Sequence, residues 1–260
     1  MTFMNAAESE PYVVIEKISD YVYSVRLCRG PNNFFSYLMI AAVADALEQL
    51  DANDECRVVV LCADGKNFCA GADFSGSAPA YSTADLYGAA ERLFRTRKPI
   101  IATVQGAAIG GGLGLAMAAD FRVMSTESRV SANFSRLGFH HGFGLSVTLP
   151  RVIGEQRAAE LLMTGRRIDG AAAYGLGLAD RLAEPENLLR ETLELANEIA
   201  LSAPLAVESI RATLRGNIAD LVHAATQHEM AEQLRLRQTN DFAEGAKAMA
   251  ERRTPHFKRS

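Results

Sequence analysis

The chain has 260 residues, 48% of them apolar and 22% charged, enough to bury a full core in one domain with an appended helical part. Its formal net charge of −4 and its lack of any basic run argue against nucleic-acid and membrane-surface binding. No uninterrupted apolar stretch of about 18 residues occurs, so no membrane-spanning helix is expected.

Residues 1–11 are polar and carry Glu8 and Glu10 where a signal peptide would carry basic and then apolar residues. The four cysteines, Cys28, Cys56, Cys62 and Cys69, have no Cys-x-x-Cys spacing, and the expectation is of reduced thiols in a cytoplasmic protein. Residues 12–17 and 21–27 are rich in Val, Ile and Tyr and predict a hairpin turning at Ser19-Asp20. After Arg29-Gly30-Pro31-Asn32-Asn33 breaks that pattern, Ile40, Val43, Leu47 and Leu50 recur at helical spacing.

Residues 57–62 form a β-branched run, the mark of a strand covered on both faces. The loop Phe68-Cys69-Ala70-Gly71-Ala72-Asp73 follows, then a helix that Ser82 or Thr83 would cap and Pro99 would stop. Residues 103–120 predict a buried strand, a turn at Gln105-Gly106, and Gly110-Gly111-Gly112 opening a tightly packed helix. Two readings fit these glycines: close helix–strand packing, or a helix start whose unpaired N–H groups hold a negatively charged oxygen. Strands are expected at 121–124 and 129–134, then a glycine-rich loop 137–144 leading into a helix interrupted by Pro150 and Gly154. From 155 onward the pattern is helical, with only short strand pieces near Arg166 and Ala179. The expected organisation is an α/β core over 1–200 and a helical part over 201–260.

Two glycine loops, each after a β-rich run, can polarise a carbonyl from two sides if they face one another, each backbone N–H lowering the barrier by about 3–4 kcal/mol. Asn67-Phe68-Cys69-Ala70-Gly71-Ala72-Asp73, Lys98-Pro99-Ile100-Ile101-Ala102-Thr103-Val104-Gln105-Gly106 and Ala108-Ile109-Gly110-Gly111-Gly112 resemble the enoyl-CoA hydratase/isomerase, or crotonase, superfamily. The similarity continues through Leu161-Leu162-Met163-Thr164-Gly165-Arg166-Arg167 and Ala203-Pro204-Leu205-Ala206 to Glu251-Arg252-Arg253-Thr254-Pro255.

The resemblance implies a spiral of ββα units, a C-terminal helical part that forms trimers or dimers of trimers, and an acyl-CoA thioester as ligand. It implies no metal and no separate cofactor, because coenzyme A is part of the substrate. It places the oxyanion hole at the N–H groups of Ala70 and Gly111, with Ala72, Asp73, Gly110 and Phe134 beside the substrate. Arg29 to Asn33 match a loop beside the adenine, while Phe257 and Lys258 match positions near the CoA nucleotide.

Hydratases of the superfamily carry two glutamates, and the matching positions here are Gly114 and Phe134. Neither a hydrogen nor a phenyl ring activates water, so a reaction other than two-carboxylate hydration is expected. The lysine often found after the Ala-Gly-Ala-Asp motif is replaced by Ser75. His140 and His141, close to the second missing glutamate, are the candidate proton-transfer groups; a loop or subunit-contact role is the alternative. Asp73 and Asp120 read as structural, and Tyr81, Asp85 and Tyr87 fall where the family lines its acyl pocket. His223, His228 and His256 read as solvated or subunit-contact residues. Isomerisation, thioester or retro-Claisen hydrolysis, decarboxylation, non-catalytic acyl-CoA binding, and hydration by a carboxylate such as Asp85 all stay open.

Overall fold

A computed structural model describes residues 2–3, 11–72 and 81–260. The chain begins with β1 (Thr2–Phe3), β2 (Val13–Ser19) and β3 (Val22–Leu27), and the last two form the expected hairpin with a register shift between Lys17 and Ser19. Then come α1 (Tyr37–Asp51), β4 (Val58–Ala63), α2 (Thr83–Leu93), β5 (Ile100–Val104), β6 (Ala107–Ile109), α3 (Gly111–Ala118) and β7 (Phe121–Ser125). Ser36 caps α1 by accepting from the Met39 N–H, and Ser82 caps α2 in a reciprocal pair with Asp85.

After β8 (Arg129–Ser131) come α4 (Leu145–Ile153), α5 (Glu155–Thr164), β9 (Ile168–Asp169), α6 (Gly170–Gly175) and β10 (Arg181–Ala183). Four helices close the chain: α7 (Leu188–Ala200), α8 (Pro204–Arg215), α9 (Ile218–Leu236) and α10 (Asn240–Ala250). A seven-stranded sheet has the order β1-β2-β3-β4-β5-β7-β10, parallel from β3 onward, and a three-stranded sheet has the order β6-β8-β9.

The apolar runs of β4 and β5 follow from cover on both faces. Val59, Leu61, Ile100 and Ala102 pack with α1 and α2, whereas Val58, Val60 and Ile101 pack against Leu188, Ala196 and Ala200 of α7. The last helices fold back onto the same chain. Ile218 and Val222 of α9 share the core that contains α1, and Arg211 and Arg215 of α8 both pair with Asp120 after α3.

Three local expectations are corrected. The strand expected over 129–134 ends at Ser131, and Phe134 lies in a 3-10 turn, Asn133–Leu137. Pro150 sits inside α4 without breaking it: it forfeits one bond near the helix end, while its own carbonyl still accepts from Gly154 at 2.8 Å. β6 was not expected, while α10 falls within the helical part expected over 201–260.

Candidate active site

β6 brings the two glycine-bearing segments together. Cys69 bridges Ala108 in parallel, the Cys69 N–H donates to Ala107 O at 2.9 Å, and the Ile109 N–H donates to Cys69 O at 3.1 Å. Asn67 locks this approach, accepting from the Ala107 N–H at 2.9 Å and donating to Asn32 Oδ1 at 2.9 Å. Gly112 is required by the closeness that results, since a Cβ there would stand 2.2 Å from Cys69 O. Packing therefore accounts for this glycine by itself.

The N–H groups of the loop are not equivalent. That of Ala70 donates to Asn32 O at 2.9 Å, which corrects the assignment of Ala70 to an oxyanion hole: its proton is already used. The Gly71 N–H is turned toward the Cys69 sulfur. Phe35 pairs with Ala72 in a parallel bridge through its own N–H and Gly71 O. Among the described residues, neither the Ala72 N–H nor the Gly111 N–H has an acceptor. Gly111 opens α3, where the first N–H groups lack intrahelical partners and the helix dipole favours negative charge.

Both residues line a cavity of about 380 Å³. Its floor is aromatic, with Phe35 edge-on to Phe143 at 5.2 Å and Phe134 edge-on to Phe139 at 5.4 Å. At Gly114 an added Cβ would meet the Phe143 ring at 2.6 Å, so the space a longer side chain would need is filled. Phe134 lines the cavity and is 8% exposed. Tyr87 reaches in from α2; its hydroxyl donates to Gln233 Oε1 at 3.1 Å, and burial raises its pKa above the ordinary phenol value. Three arginines, Arg129, Arg167 and Arg237, complete the charged lining, and no Asp, Glu, His or Lys lines it among the described residues.

The profile of the Enoyl-CoA hydratase/isomerase family matches residues 17–260. The chain belongs to that family, the crotonase superfamily. The Enoyl-CoA isomerase/hydratase fer4 of Mycosarcoma maydis is 34% identical over 208 residues, covering 77% of this chain and 76% of that protein. The Enoyl-CoA hydratase EchA19 of Mycobacterium tuberculosis is 29% identical over 98% of this chain and 99% of its own. Among solved structures, an enoyl-CoA hydratase/isomerase from Pseudoalteromonas atlantica superposes with a TM-score of 0.85 at 29% identity, covering 95% of this chain and all of that one. The mixed sheets and C-terminal helices are thus a crotonase fold.

Several site residues expected from the sequence stand elsewhere. His140 and His141 do not line the cavity; they border a separate hollow beside Ser146, Glu155 and Met163. His140 Nδ1 lies 2.8 Å from the His141 carbonyl, and His141 Nε2 lies 2.8 Å from Ser146 Oγ. Ser146 Oγ and the N–H groups of Gly144 and Ser146 all donate to Glu229, a fully buried carboxylate that caps α4. Burial, then the neighbouring His140 and His228, lower the His141 pKa to about 4, so it is neutral at pH 7. The proton-transfer assignment of the pair is therefore corrected: their ring nitrogens serve the loop and α4.

Asn33 is likewise a clasp and not a ligand group. It is wholly buried, accepts from the Arg29 N–H, and donates to Asp64 O at 2.7 Å and Asn67 O at 2.8 Å. Arg29 stacks over the Tyr12 ring, 4.8 Å from its centroid. Phe257 and Lys258 stay outside the cavity: Phe257 is exposed, and the Lys258 N–H donates to Asp241. From the C-terminal segment Arg237 and Met249 line the cavity instead. Asp85 caps α2 at the surface, and Tyr81 packs on Tyr37 at 4.3 Å; of the residues expected at the acyl pocket, Tyr87 is the one that lines the cavity. Asp73 and Ser75 lie outside the described residues. Burial pushes the Cys69 thiol up to about 12, so it is no nucleophile at neutral pH.

Proposed function

We propose that this crotonase-type protein is an enzyme that binds an acyl-CoA thioester with its carbonyl oxygen between the N–H groups of Ala72 and Gly111. As charge moves onto that oxygen the two donors stabilise an enolate, and no side chain is consumed in doing so. The observation that carries this reading is the pair of unused N–H groups on one aromatic cavity. Coenzyme A enters as part of the substrate and no further cofactor takes part.

The reaction is not two-glutamate hydration, since Gly114 and Phe134 occupy the glutamate positions and no carboxylate lines the cavity among the described residues. Isomerisation, retro-Claisen cleavage and decarboxylation share the enolate and differ in which bond releases it and where its proton comes from or goes, while thioester hydrolysis places a tetrahedral oxyanion between the same donors. A protein that only holds the thioester is the second reading, favoured by the same lack of a carboxylate or imidazole in the described lining. Assembly into trimers suits the strongly exposed Leu201, Leu205 and Leu214, and four free thiols suit the cytoplasm.

Hydration of crotonyl-CoA, followed by loss of its enoyl absorbance, tests the claim about the reaction. The expected rate is on the order of 10⁴-fold below that of a glutamate-bearing hydratase assayed alongside. Rates within tenfold of that enzyme would overturn it.

A further inference from the structure

The cavity carries three guanidinium groups and no acidic side chain among the described residues, in a protein whose net charge is −4. Elsewhere Arg92 meets Asp45 and Glu48, Arg122 meets Asp180, and Arg211 meets Asp120. The cavity arginines have no such partner among the described residues.

They stand on two walls. Arg129 begins β8 and Arg167 directly precedes β9, its antiparallel neighbour. Arg129 also borders a second hollow that opens past Lys66 and Gln105, and its guanidinium lies 3.5 Å from Asn67 Oδ1. Asn67 in turn donates to Asn32 in the loop at Arg29 to Asn33, the side on which the CoA nucleotide is expected, so the Arg129 guanidinium matches phosphate oxygens there.

Arg237 stands apart from them, at the C-cap of α9, with its guanidinium 5.7 Å from the Phe139 ring centroid. One helical turn earlier Gln233 accepts from the Tyr87 hydroxyl and donates to the His140 carbonyl, so both polar atoms of its amide have a partner. The Arg237 guanidinium is the charged donor left at this end. Arg237 is exposed overall, and a hydrocarbon tail lying against Phe139 would cover the side of its guanidinium that faces the cavity and return no hydrogen bond there. A tail ending in a carboxylate would replace the lost water with charge-assisted hydrogen bonds.

We infer that the acyl group of the substrate carries a distal carboxylate, bound by Arg237 against Phe139. This rests on the acyl-CoA reading of the same cavity. The cavity, of about 380 Å³, has room for a short dicarboxylic acyl chain.

Calorimetric titration with glutaryl-CoA and with valeryl-CoA, which differ in the terminal carboxylate, tests the inference. Glutaryl-CoA is expected to bind about 10- to 100-fold more tightly. Arg237→Gln removes that preference and Arg237→Lys retains part of it. Arg235→Gln, on the same helix but paired with Glu232 outside the cavity, keeps it whole. Equal affinities in the unmodified protein, or a preference that survives Arg237→Gln, would overturn the inference while leaving the acyl-CoA reading intact. Failure of both thioesters to bind would overturn that reading, and the inference with it.

Discussion

The His141 imidazole stacks on His140 with ring centroids 4.1 Å apart, and burial together with this neighbour and His228 brings its pKa to about 4. In the unfolded chain the same group titrates near about 6.5. Between these values the unfolded state takes up a proton that the folded state refuses, so stability falls as pH falls from about 6.5 toward 4. By pH 4.5 this one residue costs about 2–3 kcal/mol. His141→Gln, compared with the parent by urea unfolding at pH 7 and pH 4.5, is expected to lose less stability by about that amount. An equal loss in both would refute the burial argument. The placement of this pair was not legible in the sequence. Closeness to the missing second glutamate pointed to the cavity, but the loop is held by Gln233 on the His140 carbonyl and by Glu229 on Gly144, contacts about 90 residues away that no local pattern records.

Helix α3 shows at the element scale what the crotonase glycines do. An exposed glycine changed to alanine inside a helix gains about 1 kcal/mol from propensity. At Gly114 the added carbon would meet Phe143 at 2.6 Å, and overpacking of that kind costs about 1–3 kcal/mol. Because Phe143 is 1% exposed, its ring has little room to yield. Gly114→Ala is therefore expected to destabilise the protein by about 1–2 kcal/mol in denaturant unfolding. Introduced together with Phe143→Gly, which removes the Phe143 Cβ at 2.7 Å as well as the ring, it is expected to be neutral or stabilising, and a loss that persists in that background would contradict this account. The glycine-rich start of α3 and the two-faced strands were legible because composition and β-branching mark them directly. β6 was not, since Ala-Ala-Ile has no period, and it is β6 that sets Cys69 beside Ala108. The choice between Ala70 and Ala72 was hidden for the same reason: it depends on Asn32 taking one N–H and on the pairing of Phe35 with Ala72.

At the scale of the whole molecule, the C-terminal helices complete the cavity. α8 is fastened through Asp120, whose carboxylate, despite burial, is held below its usual pKa by Arg211 and Arg215. α9 then carries Gln233 and Arg237 to the wall facing β8. Sequence alone reached the crotonase fold and, in Gly111, an N–H that has no acceptor among the described residues; the cationic lining escaped it because Arg129, Arg167 and Arg237 converge only after this folding back. On the proposed reading, a positively lined cavity in an acidic protein favours an anionic thioester and leaves the catalytic burden to backbone donors. The most direct test is the absorption spectrum of 4-(dimethylamino)cinnamoyl-CoA, whose band moves to longer wavelength when its thioester carbonyl is polarised. Saturating binding with a clear shift to longer wavelength is the predicted result, and saturating binding with an unchanged band would contradict the oxyanion hole at Ala72 and Gly111.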